Sequence, residues 1–197
     1  MSTLVKECAL LFVELRAADP EATSALQVAR AHLDGGAALA SLRRWRVFEL
    51  RGELPDAAEL ESRVHRSTQF YNPAKERGTV LGEGHGVSPA AADEALVLVF
   101  DRGGERRPAA ERWWKHEGGS KVEVREGTVW ALRFEGGAPS REQVEAIAVT
   151  TSRASGLLCN PHSQEWRWAA AGTQPPLDWI SRRKTARAGR GPGGNAP

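Results

Sequence analysis

The sequence contains two copies of one pattern, and this duplication constrains the fold more than any other feature. Three segments recur: ALLFV at 9–13 and ALVLV at 95–99, VFEL at 47–50 and VWAL at 129–132, and Asn-Pro at 72–73 and 160–161. The three offsets are 86, 82 and 88 residues. A period of that length indicates two copies of a small domain, because the repeating units of solenoids span only about 20–50 residues. We therefore expect two similar halves that pack as an internal pseudo-dimer.

The duplication divides the chain into four segments. The first repeat covers residues 1–81 and the second covers residues 94–171, with a flexible Gly-rich linker at 82–93 between them. Residues 172–197 form a basic tail that is rich in Gly, Pro and Arg. We predict that this tail is disordered, because it has too few apolar residues to form a core, with residues 177–180 as the one segment that is apolar enough to become ordered.

Capping residues predict corresponding helices in the two halves. Asp19, which a proline follows, is typical of a helix start in the first half. Ser140 and Gln143 have the spacing of a capping box, which begins a helix in the second half. Because proline restricts the residue before it, we predict that the second helix of each half ends at Asn72 and at Asn160.

The predicted strands complete an α+β pattern. Residues 8–15 and 95–100 are continuous apolar runs, which are typical of strands that are buried in a sheet. Glu126-Gly127 separates two strand-like segments, and its glycine predicts a two-residue hairpin turn. Each half is then a β-α-β-β-α-β unit, with helices on one face of an antiparallel sheet.

Charge and cysteine content exclude several classes of protein. The net charge is +2, and residues 182–197 contribute five basic side chains and no acidic one, so the rest of the chain is slightly acidic. Such a body is a poor general binder of nucleic acid. Two cysteines, Cys8 and Cys159, do not make a disulfide framework, which favours a reducing compartment. No signal-peptide pattern and no membrane-spanning apolar run occur, so we predict a cytoplasmic protein without a membrane segment.

Several short segments, spread over both halves, can be compared with known protein families. They are DPE at 19–21, VFEL at 47–50, FYNP at 70–73, the hairpin-like stretch at 121–132, and LLCNP at 157–161 followed by QEW at 164–166. These segments resemble the PurS family, the small subunit of phosphoribosylformylglycinamidine synthase in purine biosynthesis. The resemblance covers residues 4–81 and 94–170. Two departures are Ala22, where the family has glycine, and Asp101, after which no proline follows.

The resemblance implies a non-catalytic accessory subunit of an ATP-dependent amidotransferase complex. Such a subunit would bridge a PurL-type synthetase and a PurQ-type glutaminase and support ammonia transfer between them. The complex would use ATP, Mg and glutamine, whereas this chain would bind no cofactor. Typical PurS chains hold one copy and dimerise, and the large single-chain synthase begins with a region that resembles two fused copies. This chain resembles that fused arrangement in free form, and the pseudo-dimer would pair again if it followed PurS dimers.

Tryptophan and Asn-Pro motifs are the candidates for a partner interface. Tryptophan and arginine are enriched at binding hot spots, and two adjacent tryptophans on a helix cannot both point inward. Core packing and helix termination by Asn-Pro explain the same residues without a partner. The candidate interface comprises Asn72, Pro73, Trp113, Trp114, Asn160, Pro161, Trp166 and Trp168.

Other chemistry has weaker support in the sequence. Cys159 and His162 are metal-capable side chains, but a zinc site needs about four ligands. A catalytic thiol needs a base and an orienting group, which no local pattern supplies. We therefore predict no catalytic, cofactor-binding or metal-binding residue. Two further functions stay open: a stand-alone α+β regulatory module that binds a small ligand between its halves, and an RNA-associated protein that acts through its tail.

Overall fold

The computed structural model describes residues 7–182, which form one six-stranded antiparallel sheet and four α-helices. The strands are β1 (Glu7–Leu15), β2 (Leu39–Gly52), β3 (Glu76–Leu81), β4 (Ala95–Asp101), β5 (Val122–Phe134) and β6 (Gln164–Ala169). The helices are α1 (Pro20–His32), α2 (Ala57–Arg66), α3 (Pro108–Gly118) and α4 (Arg141–Ala148), and a short 3-10 helix at Gly36–Ala38 follows α1. The predicted α+β class is confirmed. No helix in this range is long and apolar enough to cross a membrane.

Each half contributes three adjacent strands to the sheet. The strand order is β3-β1-β2-β5-β4-β6. The first half therefore meets the second across the sheet through β2, which lies next to β5. These two strands are the longest and pair with each other along almost their whole length. The halves are therefore joined edge to edge through main-chain hydrogen bonds, and they form one continuous sheet instead of two packed sheets.

The register of the sheet relates the two halves by the sequence offsets. Equivalent cross-strand pairs in the first and second half are Leu10–Glu49 and Leu96–Ala131, and Leu10–Leu81 and Leu96–Ala169. Adding 86 to residue numbers in β1, 82 to those in β2 and 88 to those in β3 gives the numbers of the paired residues in the second half. Arg46 of β2 lies opposite Thr128, which is its own equivalent in β5. A pseudo-twofold axis therefore passes between these two residues.

The four helices lie on one face of the sheet, and their cores combine both halves. One cluster contains apolar residues of α1 and α4 over β4 and β5. The other contains residues of α2 and α3 over β1 and β2. Because each cluster has one helix from each half, neither half can bury its apolar residues without the other. The prediction of helices on one face is confirmed.

The opposite face of the sheet is covered by irregular segments of the chain. Leu177 lies against it, and the side chains of Trp179 and Ile180 are only 2% exposed there. We call residues 172–182 the C-terminal strap. Residues 177–180 are the segment that the sequence marked as able to become ordered, whereas the prediction of disorder is wrong for the rest of the strap. The second apolar face of the sheet provides the core that the strap lacks by itself. Residues 183–197 lie outside the described range.

The predicted hairpin at Glu126-Gly127 is also wrong. β5 runs through both residues without a turn, so each half has three strands rather than four. Gly127 serves a different purpose, since a Cβ atom built there would lie 2.9 Å from Leu98 Cδ1 and 3.0 Å from the oxygen of Val99. The glycine therefore permits close approach of β4 in mid-strand.

The second helices end earlier than the Asn-Pro pairs. α2 ends at Arg66 and α4 ends at Ala148, well before Asn72 and Asn160. After α4 the chain folds back, and the N–H groups of Leu157 and Leu158 donate to the oxygens of Ile147 (2.9 Å) and Ala148 (3.0 Å). The loop thereby satisfies carbonyls that a longer helix would have satisfied itself.

Candidate functional site

Both Asn-Pro pairs form the same hydrogen-bonded turn. Asn72 Oδ1 accepts from the N–H of Ala74, and Asn160 Oδ1 accepts from the N–H of His162, each at 3.0 Å. The main-chain N–H of each asparagine donates to the side chain that begins the next strand, Glu76 Oε2 at 2.8 Å or Gln164 Oε1 at 2.9 Å. The asparagines therefore close their turns locally, as Asx turns do.

Sequence reasoning missed the arginine that holds each turn. Arg16 Nε donates to the main-chain oxygens of Pro73 and Glu76, both at 3.1 Å. In the second half Arg102 Nη2 donates to the oxygen of Pro161 at 3.0 Å, and its Nε donates to that of Gln164 at 3.3 Å. Arg16 and Arg102 are 86 residues apart, the offset that relates β1 to β4, so the repeat spacing was the signal that could have found them.

The structure does not bring the two turns together. Asn72, Pro73 and Asn160 are exposed, and Pro161 is half-buried. The turns precede β3 and β6, which are the outermost strands, so they lie at opposite edges of the sheet. Any partner that contacts both turns must therefore span the sheet, or two partners must contact one turn each.

The four candidate tryptophans take part in core packing. Trp114 is 1% exposed, and its Nε1 donates to Ser120 Oγ at 3.1 Å. Trp113 is half-buried and meets the Phe70 ring edge to face, with ring centroids 6.0 Å apart. Trp166 and Trp168 are half-buried against the core of α1 and α4. The structure thus gives all four a packing role, and three of them keep some exposed surface.

A polar cleft of about 320 Å³ lies on the helix face beside the pseudo-twofold axis, and we call it the central cleft. Its walls come from both halves. The first half contributes side chains of α1 and β2, and the second contributes β4, β5, β6 and the loop before α3. The charged residues of the wall are Glu21, Arg44, Arg46, Asp101, Arg107 and Glu126.

The ion pairs of the central cleft are reversed between the halves. In the first half Arg44 of β2 pairs with Asp19, the N-cap of α1, at 2.9 Å, and also with Glu21. In the second half Glu126 of β5 pairs with Arg107, the N-cap residue of α3. Arg44 is equivalent to Glu126 and Asp19 to Arg107, so both members of the pair have exchanged sign. The attraction is kept in each half, although the residues differ.

The cysteine and histidine candidates do not form a reactive cluster. Cys159 is buried, whereas His162 is exposed. Cys8 lies with His85 beside a separate pocket of about 330 Å³, where burial and then the nearby charge of Glu49 raise the pKa of the Cys8 thiol. Within residues 7–182, no group of three or more His, Cys, Asp or Glu side chains is placed to hold a metal ion.

Comparison of the chain with protein-family models, with curated proteins and with solved structures gave no match. The interpretation of the site therefore depends on the geometry of this chain alone.

Proposed function

We propose that this chain is a cytoplasmic, non-catalytic accessory subunit of a phosphoribosylformylglycinamidine synthase. In this proposal it bridges a PurL-type synthetase and a PurQ-type glutaminase and supports the transfer of ammonia between them. The complex would use ATP, Mg and glutamine, and the pseudo-dimer would replace a dimer of single-copy PurS subunits.

The observation that carries the proposal is the paired Asn-Pro turn. The same turn stands before the outer strand of each half, is held by an equivalent arginine, and presents Asn72, Pro73 and Asn160 to solvent. Two equivalent exposed sites related by a pseudo-twofold axis are what a subunit needs to contact a pseudo-symmetric partner or two partners at once. Two of the segments on which the PurS resemblance depends, FYNP at 70–73 and LLCNP at 157–161, contain these turns.

Reconstitution of the complex tests the proposal. The PurL-type and PurQ-type proteins of the same source should co-purify with this chain, and adding it should raise glutamine-dependent synthase activity more than ammonia-dependent activity. Pro73→Glu places a charge on an exposed turn and should weaken that assembly. Val87→Glu is a matched control, because Val87 is 70% exposed and lies far from the turn in sequence. If the full chain neither co-purifies nor changes glutamine-dependent activity, the proposal fails.

A second candidate function is a stand-alone regulatory module that binds a small ligand between its halves. The central cleft favours it, because side chains of both halves line a space of ligand size at their junction. A ligand that binds only the native state raises the melting temperature by mass action. A dose-dependent rise in the melting temperature of the isolated chain, without any partner protein, would support this function.

A further inference from the structure

In the first half the Arg46 side chain occupies a space whose equivalent in the second half is open. Arg46 Nη2 donates to Glu76 Oε1 at 2.9 Å and to the main-chain oxygen of Phe70 at 3.1 Å. Its guanidinium lies 5.5 Å from the centroid of the Phe48 ring. A carboxylate, a carbonyl and an aromatic face thus surround one planar cation.

The equivalent positions in the second half all line the central cleft. Offsets of 82 and 88 place Thr128 at the position of Arg46, Trp130 at that of Phe48, Leu158 at that of Phe70 and Gln164 at that of Glu76. Threonine has no long cationic side chain, so the cleft stays open where the Arg46 side chain lies in the first half. The Trp130 ring is not free, because the Arg44 guanidinium lies 5.7 Å from its centroid while pairing with Asp19 and Glu21.

The second half also keeps a carboxylate at this place. In the first half Leu15 lies opposite Glu76, and in the second half Asp101 lies opposite Gln164. The cross-strand pair therefore retains one acidic residue, which has moved to the neighbouring strand. Gln164 Nε2 donates to Asp101 Oδ1 at 3.1 Å, which orients the carboxylate at the wall of the cleft.

The charges around the central cleft favour a cation. Its three arginines are each paired with a carboxylate. The wall itself has three carboxylates, Glu21, Asp101 and Glu126, against those three arginines, and Asp19 and Glu76 outside the wall pair with Arg44 and Arg46. Asp101 has no arginine among the ion pairs of the described residues. The wall therefore has a carboxylate available to a bound cation.

We propose that the central cleft binds a small molecule through a planar guanidinium or amidinium group, which takes the place that the Arg46 guanidinium takes in the first half. The inference rests on the second candidate function and is independent of the accessory-subunit proposal. Asp101, Gln164 and the main-chain oxygen of Leu158 would accept from the planar cation.

Isothermal titration calorimetry of the full chain tests the ligand class with four probes. Agmatine and L-arginine carry a planar guanidinium, and putrescine carries ammonium groups, which are not planar. L-citrulline has an uncharged ureido group in place of the guanidinium of arginine. Agmatine and arginine should bind at one site per chain, and citrulline should bind at least about tenfold more weakly, since it loses the charge-assisted hydrogen bonds. Equal binding of citrulline and arginine, or no binding of either guanidinium probe, would overturn the proposal.

Two exchanges between the halves test the location. Thr128→Arg gives the second half the arginine of the first and should abolish agmatine binding, whereas Arg46→Thr should open an equivalent space and raise the stoichiometry towards two. Asp101→Asn, which changes little volume, should weaken binding about tenfold even if Thr128→Arg fails to fold. Unchanged agmatine affinity in Asp101→Asn would overturn the assignment of this site.

The ligand class and the second candidate function can fail separately. Inorganic phosphate and citrate, titrated as anionic probes, provide the distinction. If an anion binds to the full chain, Thr128→Arg abolishes that binding and no guanidinium probe binds, the ligand class is wrong while the ligand-binding function stands. If no probe of either charge binds or raises the melting temperature, both are wrong.

Discussion

The two halves share a register but differ in the chemistry of equivalent positions. The ion pair between the N-cap of the first helix and the central strand is Asp19–Arg44 in the first half and Arg107–Glu126 in the second. Reversal of both charges keeps the attraction, so the halves have changed in pairs that compensate within each half. The two halves have the same backbone pairing. Their side chains differ at equivalent positions, and the differences compensate within each interacting pair.

A second exchange concerns volume. In the first half the Tyr71 ring lies over Gly78, where a Cβ atom would be 3.0 Å from Tyr71 Cε1. The equivalent residues in the second half are Cys159 and Trp166. Each half has one small and one large residue at these two positions, but the large residue is in the loop in the first half and in the strand in the second. Close packing explains why neither member could change alone.

The largest expected effect comes from breaking the volume exchange in one half. Gly78→Trp places an indole where the Tyr71 ring lies, and we expect the free energy of unfolding to fall by about 3 kcal/mol. Adding Tyr71→Cys reproduces the second half and should restore more than half of that loss. Urea unfolding of both variants measures the difference. A double variant no more stable than Gly78→Trp alone would show that the two positions do not compensate each other.

Breaking the charge exchange should have the next largest effect. Arg44→Glu places a third carboxylate beside Asp19 and Glu21, and we expect a loss of about 2 kcal/mol for this partly buried site. Adding Asp19→Arg restores the opposite charges and should recover about 1 kcal/mol, although α1 loses its N-cap hydrogen bonds. A double-mutant cycle on urea unfolding measures the coupling, and a coupling near zero would contradict the exchange.

The matched control reverses the second half. Arg107→Asp with Glu126→Arg gives α3 the N-cap residue that α1 has, and α3 lacks a side-chain cap bond at present. This double variant keeps the ion pair and adds a cap, but it also replaces the carboxylate that lies 3.8 Å from Arg46 Nη1 with a like charge. Its free energy of unfolding should therefore stay within about 1 kcal/mol of that of the natural chain. A much larger loss would mean that the two helix starts are not equivalent.

The sequence predicted the shared backbone far better than the side chains that distinguish the halves. Strand runs such as residues 9–13 and 95–99 carry their register with them, so their offsets matched the observed pairing. Gly127 misled the prediction, because glycine permits a turn as readily as a close approach, and only the position of Leu98 decides between them. The central cleft could not be predicted, because its wall combines side chains from four strands whose neighbours are set by the fold.

The packing of the C-terminal strap also could not be predicted in full from the sequence. Trp179 and Ile180 are too few to form a core, yet they are buried because the second face of β1 and β2 is apolar. The continuous apolar run of β1 is typical of a strand that is buried on one face or on both. What the sequence did not reveal is which segment would cover the second face, since Glu49 holds the strap through main-chain N–H groups that carry no sequence signal.

At the two Asn-Pro turns we expect smaller losses of stability, which should be equal to each other. Asn72→Ala and Asn160→Ala each remove one side-chain acceptor from an exposed turn of the same geometry. Each should lower the free energy of unfolding by about 1 kcal/mol, because one hydrogen bond is lost in each case. Thermal unfolding of the two variants side by side checks the equality. A loss at one turn and none at the other would show that the turns only look alike.

The last comparison concerns a pH dependence that Glu49 contributes and that its equivalent, Ala131, has no side chain to contribute. Burial raises the pKa of Glu49 above its ordinary value of 4.5, and hydrogen bonds from Ser181 and Ile180 offset part of that shift. An acid with a raised pKa in the folded state stabilises most below its unfolded pKa and loses that contribution as the pH rises through the folded pKa. The free energy of unfolding, measured relative to Glu49→Gln, should therefore fall as the pH rises above 4.5, with a slope no steeper than about 1.4 kcal/mol per pH unit. A constant or rising difference would contradict the raised pKa.

The pairing of β2 with β5 about a pseudo-twofold axis is the central claim, and backbone NMR tests it most directly. Cross-strand nuclear Overhauser effects should connect Arg44 with Trp130 and Phe48 with Glu126, symmetrically on both sides of the Arg46–Thr128 pair. Contacts between residues 125 and 128 that close a hairpin at Glu126-Gly127, or a β2–β5 register displaced from the Arg46–Thr128 centre, would contradict it.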